Sequence, residues 1–303
     1  MPELPEVHTT VEGLNKTVIQ KTIADVWSDF HIGTAHGERD NIKNKNYYEK
    51  FRKTAKGAEI ISARRRGKNI LIGLNNGNTI VVHMKMTGHM MVGKYKKTKT
   101  GDWKPVEDGP LQDPYNKYIH LVFSFSDGSH LVLSDMRKFA SVTISKTDGI
   151  GEHERVGKLG PEPLEIKKEE FIKIIKSKRS CPIKPALMDQ TALSGIGNIY
   201  SDEMLWQTGI HPLSYSDKIP SRKLGQMFEA MQSILSFSIK HGGDSKSDYR
   251  NIFGERGGFQ NFHKAYGKKG QKCPKLKCSG IIERMTVRGR SAHFCPKHQT
   301  IYK

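Results

Sequence analysis

The sequence predicts an α+β, multidomain protein with a β-rich N-terminal part, a helical middle and a small cysteine-bearing tail. Three observations carry this. Before residue 150, apolar runs flank Asn-Gly and Asp-Gly dipeptides. After residue 163, apolar positions follow a helical period. Three of the four cysteines fall within the last 31 of 303 residues.

Each element has its own justification. Val7, Val11 and Leu14 sit at i, i+4 and i+7, so a short helix begins almost at the N-terminus, with strands to follow. Residues 70–74 and 79–83 flank Asn75-Asn76-Gly77-Asn78 and read as a hairpin, because Asn-Gly supplies the positive φ of a tight turn. Residues 118–125 and 130–133 flank Asp127-Gly128 and form a second. Between them, 94–115 is rich in Lys, Gly, Pro and Asp and reads as a long surface loop or insertion. Gly160-Pro161-Glu162-Pro163 reads as a linker between strand-like and helix-like halves. Phe171, Ile174 and Ile175 make a short helical stripe, and 183–193 and 199–207 are helix-like on either side of Gly195-Ile196-Gly197-Asn198. A longer helix runs from Ser221, a suitable N-cap, to His241, with Leu224, Met227, Phe228, Met231, Ile234 and Leu235 on a 3.6 period. Gly242-Gly243 stands just past its end.

Composition narrows the function classes. The length allows about two domains with a real core. Hydrophobic residues at 36% and charged ones at 27% exclude wholesale disorder. No run approaches the ~20 apolar residues of a membrane helix. The start has neither a basic n-region nor an apolar h-region, so an intracellular location is expected. Fifty Lys+Arg against 31 Asp+Glu leave a net charge of +19, which favours a polyanionic partner.

The tail carries a metal-ligand spacing. Cys273-x4-Cys278, sixteen residues, then Cys295-x2-His298 can converge tetrahedrally on Zn²⁺, a cation that prefers S and N donors. His293 is a second candidate for the fourth ligand, although Cys-x2-His fits a knuckle better. Such a cluster implies reduced thiols and a reducing compartment. Residues 270–303 hold eight Lys+Arg and one acid, and Arg288 and Arg290 lie between the ligand pairs, as in a phosphate-contacting hairpin.

Three segments together carry a resemblance. The start Met1-Pro2-Glu3-Leu4-Pro5-Glu6-Val7, the stretch Asp189-Gln190 with Gly195-Ile196-Gly197-Asn198-Ile199-Tyr200-Ser201-Asp202-Glu203, and the zinc tail resemble the formamidopyrimidine-DNA glycosylase / endonuclease VIII family. The likeness runs the length of the chain and is nearest to the formamidopyrimidine branch. It implies an N-terminal catalytic β-sandwich with a flanking helix (1–152) and a helix–two-turn–helix DNA-binding domain with a lesion-capping loop (153–268). A C-terminal zinc-finger β-hairpin (269–303) completes it. The implied activity is that of a bifunctional glycosylase and AP lyase on damaged double-stranded DNA, excising oxidised purines in base excision repair. One structural Zn²⁺ and a monomeric state go with it.

The resemblance also assigns roles. Once Met1 is removed, Pro2 is a secondary amine. An α-amino group titrates near ~8, so part of it is a neutral nucleophile at pH 7. Glu3 is implied as the proton donor to the sugar and Glu6 as a supporting acid. A plainer reading has Pro2 and Glu3 merely capping the first helix. Lys68, in Arg66-Gly67-Lys68, matches the active-site lysine, and an ammonium there would lower a neighbouring amine's pKa. Arg64, Arg65 and Arg66 have no assigned role. Asn198 would touch the DNA backbone at a helix N-terminus. Arg290 would clamp the phosphates flanking the lesion.

An enzyme that acts on a base inside a duplex must take it out of the stack and fill the hole. Met86, Arg137 and Phe139 align with the wedges that do so, Arg137 facing the orphaned base. Phe139 is core instead if its strand faces inward; Met84 reads as core. His83 and Tyr266 are implied phosphate contacts, and the loop within 254–266, flexible by composition, would close over the flipped purine.

Departures from the family pattern are the four-residue spacer between Cys273 and Cys278, His298 in place of a cysteine, the 94–115 insertion, and Lys138 where Arg is common. Two rivals stand beside this reading. One is an endonuclease VIII-like glycosylase for oxidised pyrimidines. The other is a non-catalytic zinc-ribbon binder of damaged DNA, to which a free N-terminal proline would bring nothing.

Overall fold

A computed structural model of the chain describes residues 1–32 and 41–303. The chain forms two compact units: Met1–Gly157 with His241–Gly258, and Lys158–Lys240 with Phe259–Lys303. Among the described residues no helix is long and apolar enough to cross a membrane.

The first unit contains α1 (Leu4–Thr17), β1 (Ile23–Ser28), α2 (Lys45–Ala55), β2 (Ile60–Arg66), β3 (Asn69–Leu74), β4 (Asn78–His83) and β5 (His89–Gly93). It continues with β6 (Tyr95–Lys97), β7 (Trp103–Pro105), β8 (Ile119–Phe125), β9 (His130–Ser134) and β10 (Ser141–Lys146). Two four-stranded antiparallel sheets result, β1-β8-β9-β5 and β10-β4-β3-β2. Leu121, Phe123, Leu131 and Leu133 of one sheet share a single buried cluster with Ile70, Ile72, Ile80 and Val82 of the other, so the unit is a β-sandwich. Val7, Val11 and Leu14 of α1 close one side of this core, and Phe51 and Ala55 of α2 join it. The predicted hairpins are β3–β4 and β8–β9, and Gly77 and Gly128 take the positive φ their turns require. The sequence pattern does not announce α2: its stripe of Tyr48, Phe51 and Ala55 is narrow and embedded in lysines.

The 94–115 segment, expected as a surface loop or insertion, is mostly exposed but carries regular structure. β6 and β7 pair as a small hairpin, followed by 3₁₀ turns at Pro110–Gln112 and Pro114–Lys117. Trp103 and Leu111 from this arm pack with Trp27 onto Met91, Ile119, Val122 and Val132. The reason lies in the pleat. Alternate residues of β8 and β9 face the sandwich core, while Val122 and Val132 face outward, and the arm covers them.

The second unit contains α3 (Lys168–Ser177), α4 (Ile183–Met188), α5 (Asn198–Thr208), α6 (Ser221–Lys240) and a hairpin of β11 (Glu283–Val287) with β12 (Arg290–Phe294). Phe171 packs on Phe228 at 5.8 Å, and the Tyr200 hydroxyl bonds Ser238 Oγ at 2.6 Å, joining α3 and α5 to α6. Helix α4 stops at Met188, five residues before the expected end. The Asp189 carboxylate accepts from the Thr191 N–H at 2.9 Å and turns the chain out of the helix. The boundary between the units falls at Gly157, just before the expected linker, and Gly160 is itself anchored within the second unit. The Gly160 N–H donates to Gln190 O at 2.8 Å, and a Cβ on Gly160 would lie 2.6 Å from the Ala192 backbone.

Candidate catalytic site and nucleic-acid interface

Pro2 and Glu3 are buried at the head of α1, with Glu3 as its N-cap. Both oxygens of the buried Glu6 carboxylate accept backbone amides: Oε2 from Glu3 N at 2.7 Å and Oε1 from Asp244 N at 2.7 Å. Glu6 therefore fixes the N-terminal turn from within the helix, which is a supporting role.

Lys68 occupies the tight Gly67-Lys68 turn between β2 and β3, with Gly67 at positive φ, and only 6% of its surface is exposed. Across β3–β4, Asn69 pairs with His83, so the lysine turn and His83 are neighbours. Burial, then the charges of Lys85, Arg155 and Lys68, push the His83 imidazole down to about 3. His83 is thus neutral at pH 7. Its Nδ1 accepts from Lys85 N at 3.0 Å, which leaves the proton on Nε2 as a donor.

The three expected wedges sit on two loops that one carboxylate binds together. Met86 lies in the β4–β5 loop, a tight turn in which Gly88 is obligatory because a Cβ would meet Met84 O at 2.4 Å. Arg137 and Phe139 lie in the β9–β10 loop. Asp135, with no exposed surface, accepts from the Thr87 hydroxyl of the first loop and from Ala140 N at 2.7 Å in the second. Arg137 N also donates to Thr87 Oγ1 at 3.3 Å. Met86 is 42% and Phe139 44% exposed, whereas Met84 is core as expected. The Arg137 guanidinium stacks 4.3 Å from the Phe139 ring. Lys138 turns away to pair with Asp29 at 3.2 Å. Exposed apolar and cationic side chains on a braced edge suit insertion into a base stack.

In the second unit, Asn198 opens α5 after Gly195 and Gly197. The Gln190 side chain builds this turn, donating to Met188 O and Ile196 O and accepting from Gly195 N. The Asn198 side-chain oxygen is buried without a hydrogen-bond partner among the described residues. Lys184, wholly buried, donates to Asn198 O at 3.4 Å, to Ser201 Oγ at 3.1 Å and to Asp202 Oδ1 at 2.6 Å. The other oxygen of Asp202 accepts from His293 N and lies 3.0 Å from its Nδ1, which ties β12 to α5. Glu203 accepts the N–H groups of Lys264, Ala265 and Tyr266 at 2.8–3.0 Å and so seats Tyr266. Sequence reasoning missed Thr87, Asp135, Lys184 and the Glu203 nest, since each acts through a distant partner.

The metal-ligand set assembles as expected. The donor atoms of Cys273, Cys278, Cys295 and His298 lie within 4.8 Å of one another. Gly280 permits this closeness, because a Cβ there would lie 2.4 Å from Cys295 Sγ. His298 Nε2 lies 3.0 Å from Trp206 O and donates to it, turning Nδ1 inward as the ligand atom. His293 is held by Asp202, so His298 is the fourth donor. Three thiolates and an imidazole fit a tetrahedral Zn²⁺. The β11–β12 turn above the cluster carries Arg288 and Arg290. Arg288 is exposed and donates from one guanidinium nitrogen to Ser180 O at 3.3 Å. Arg290 is exposed and has no hydrogen-bond partner among the described residues.

The structure thus brings Met86, Arg137 and Phe139 to one edge of the first unit, beside the strands of Lys68 and His83. Asn198, Tyr266, Arg290 and the metal ligands gather in the second. Residues 1–142 match the formamidopyrimidine-DNA glycosylase N-terminal domain, and residues 159–250 match the H2TH domain of the same glycosylase. The formamidopyrimidine-DNA glycosylase of Lactobacillus acidophilus is 36% identical over 307 residues, covering 100% of each chain. Among solved structures, the Lactococcus lactis Fpg in complex with abasic-site DNA superposes with a TM-score of 0.80 at 29% identity, over 97% of this chain and 98% of that one. A mutant of that Lactococcus lactis protein, in complex with DNA containing Fapy-dG, superposes at 0.79, with the same identity and coverage. The chain belongs to the formamidopyrimidine-DNA glycosylase family.

Proposed function

We propose that this DNA glycosylase excises oxidised purines, 8-oxoguanine and formamidopyrimidines, from duplex DNA in base excision repair, and then cuts the strand as an AP lyase. The observation that carries the reading is the buried Pro2–Glu3 pair at the head of α1, with Glu3 N held by Glu6. Removal of Met1 makes Pro2 a secondary amine beside an acid. Its lone pair attacks C1′, and the base leaves with the electrons of the C1′–N bond and takes up the proton the amine gives up. Glu3 protonates the ring oxygen as the amine's regained lone pair opens the sugar to an iminium. Successive β- and δ-elimination then expel the phosphates on the 3′ and 5′ sides.

Lys68, Asn198, Tyr266 and Arg290 bind phosphates, with His83 as a neutral donor. Met86 fills the vacated space, Phe139 splits the stack, and Arg137 meets the opposite base. The loop containing 254–258 covers the extruded purine. In this division 1–152 does the chemistry, 153–268 holds the backbone, and 269–303 is a zinc-stabilised hairpin. When bound, Zn²⁺ supplies rigidity to that hairpin and takes no part in bond-making. The enzyme acts as a monomer in a compartment that keeps its thiols reduced.

Borohydride trapping tests the proposal, with duplexes carrying 8-oxoguanine, thymine glycol or an abasic site. Covalent adducts on the first and third are expected, and chains that retain Met1, identified by intact mass, form neither. No adduct on any duplex would sink the enzyme reading; adducts confined to thymine glycol and the abasic site would move it to oxidised pyrimidines.

A further inference from the structure

The 94–116 arm takes no part in the chemistry above, yet it grips the segment next to it. His241–Gly258 leaves its helix and returns to the same point. The Gly258 N–H donates to His241 O at 2.8 Å, and a Cβ on Gly257 would lie 2.3 Å from Gly243 O. From this neck the loop is held on two sides.

One side is α1. Asp244 N donates to Glu6 Oε1 at 2.7 Å and the Tyr249 hydroxyl to Glu6 O at 2.9 Å, so the loop begins against the N-terminal turn. Ile252 fills the notch at Gly13, where a Cβ would meet its Cγ2 at 2.3 Å. The Ile252 carbonyl accepts from Val92 N at 2.8 Å and so covers the edge strand β5.

The other side is the arm. Arg250, 2% exposed, donates to Asp113 Oδ2 at 3.1 Å, and its guanidinium lies 4.8 Å from the Tyr115 ring. Asn116 is equally buried and uses its whole amide. Nδ2 donates to Pro110 O at 2.9 Å and to Gly254 O at 3.2 Å, while Oδ1 faces His89 Nε2 at 2.9 Å. Leu111 lies between two glycines that admit no side chain. A Cβ on Gly93 would meet its Cδ1 at 2.5 Å, and one on Gly254 its Cα at 2.9 Å. Residues 251–255 are further tightened by Asn251, whose side chain accepts from Phe253 N and Glu255 N. The result presents Phe253, 48% exposed, on a turn that cannot shift without breaking contacts to the arm.

We infer that Asp113, Tyr115, Asn116 and Leu111 of the arm are positioning residues that fix the 250–255 turn, so that the arm sets how well the enzyme engages a base rather than how well it cuts a backbone. This rests on the reading that the loop covers an extruded purine. Loop geometry matters only while a base is present, because an abasic duplex offers nothing to cover. Misplacing a contact group by about 1 Å can cost up to about a hundredfold in rate. An isosteric loosening such as Asp113→Asn, which removes the carboxylate that faces Arg250, is therefore expected to cost about tenfold.

The test uses the full chain, its Asp113→Asn and Asn116→Ala variants, and two duplexes. On 8-oxoguanine DNA, kcat for base release falls about tenfold in each variant; on a preformed abasic site, strand cutting and affinity stay at wild-type levels. Equal loss on both duplexes, or no loss on either, overturns the inference. Hydrogen exchange keeps it testable should the wild type cut abasic DNA but release no oxidised purine, an outcome that defeats the substrate reading alone. In that case faster exchange at the Phe253, Gly254 and Glu255 amides of the variants supports the arm's role, and unchanged exchange refutes it.

Discussion

Asp135 in the first unit and Asp202 in the second are both without exposed surface, and each anchors part of the candidate DNA interface by different electrostatics. Asp135 gathers neutral donors: the Thr87 hydroxyl and the amides of Arg137 and Ala140. Asp202 takes the full charge of Lys184 at 2.6 Å and commits its second oxygen to His293. The first arrangement joins the two loops that carry Met86, Arg137 and Phe139. The second joins a helix start to the hairpin that carries Cys295, and neither partner can be lost without stranding a charge in a medium that cannot solvate it. Losing a neutral donor costs less than stranding a charge, so the ionic anchor is the more demanding of the two.

The comparison can be broken by mutation. Asp202→Ala should cost about 3–5 kcal/mol in urea unfolding, because Lys184 is left buried and unpaired. Adding Lys184→Met should recover much of that loss; a double variant no more stable than the single one would mean the charge is not what matters. Asp135→Asn should cost less, about 1–3 kcal/mol, the scale of one or two unsatisfied donors. It should also weaken duplex binding measured by anisotropy, since Met86 and Arg137 lose their common anchor. Unchanged affinity would show that the two loops hold their positions independently.

The smallest effect concerns pH. His83 takes its proton only near about 3 in the folded protein but near 6.5 when unfolded. The unfolded chain therefore binds the proton first as pH drops, so stability declines across that window and this residue's share is fully lost near the lower value. His83→Gln should flatten that part of the thermal-midpoint profile, and an unaltered profile would assign the decline to other buried histidines.

How much is legible depends on how locally each feature is encoded. The α1 stripe, both Gly-turn hairpins, α6 and the Cys/His spacing are short-range patterns, and the structure contains them all. The N-terminal motif makes Pro2, Glu3 and Glu6 conspicuous because its residues are nearly consecutive. The arm reads as a loop because its lysines, glycines and prolines resemble one. The telling signal lies elsewhere, in the consecutive apolar residues Leu121-Val122-Phe123 and Leu131-Val132-Leu133. Such runs mark a strand covered on both faces, so something has to cover the outer one. Lys184, Asp202 and His293 are drawn from distant parts of the chain, and no periodicity reports a contact of that kind. Arg288 and Arg290 look alike in sequence and are both exposed; only the turn's placement gives Arg288 a hydrogen bond, to Ser180 O.

The His241–Gly258 loop also constrains how the protein can be made. Its residues complete the first unit, yet they are encoded after α3, α4, α5 and α6. During synthesis, the amide of Val92 and the notch at Gly13 wait for Ile252 until most of the second unit has already been made. A gene cut at residue 157 would yield a sandwich with an open strand edge and an N-terminal turn missing the Asp244 amide that Glu6 binds. The first unit is therefore not encoded as one stretch, and an exchange confined to residues 1–157 would leave it without the segment that completes it.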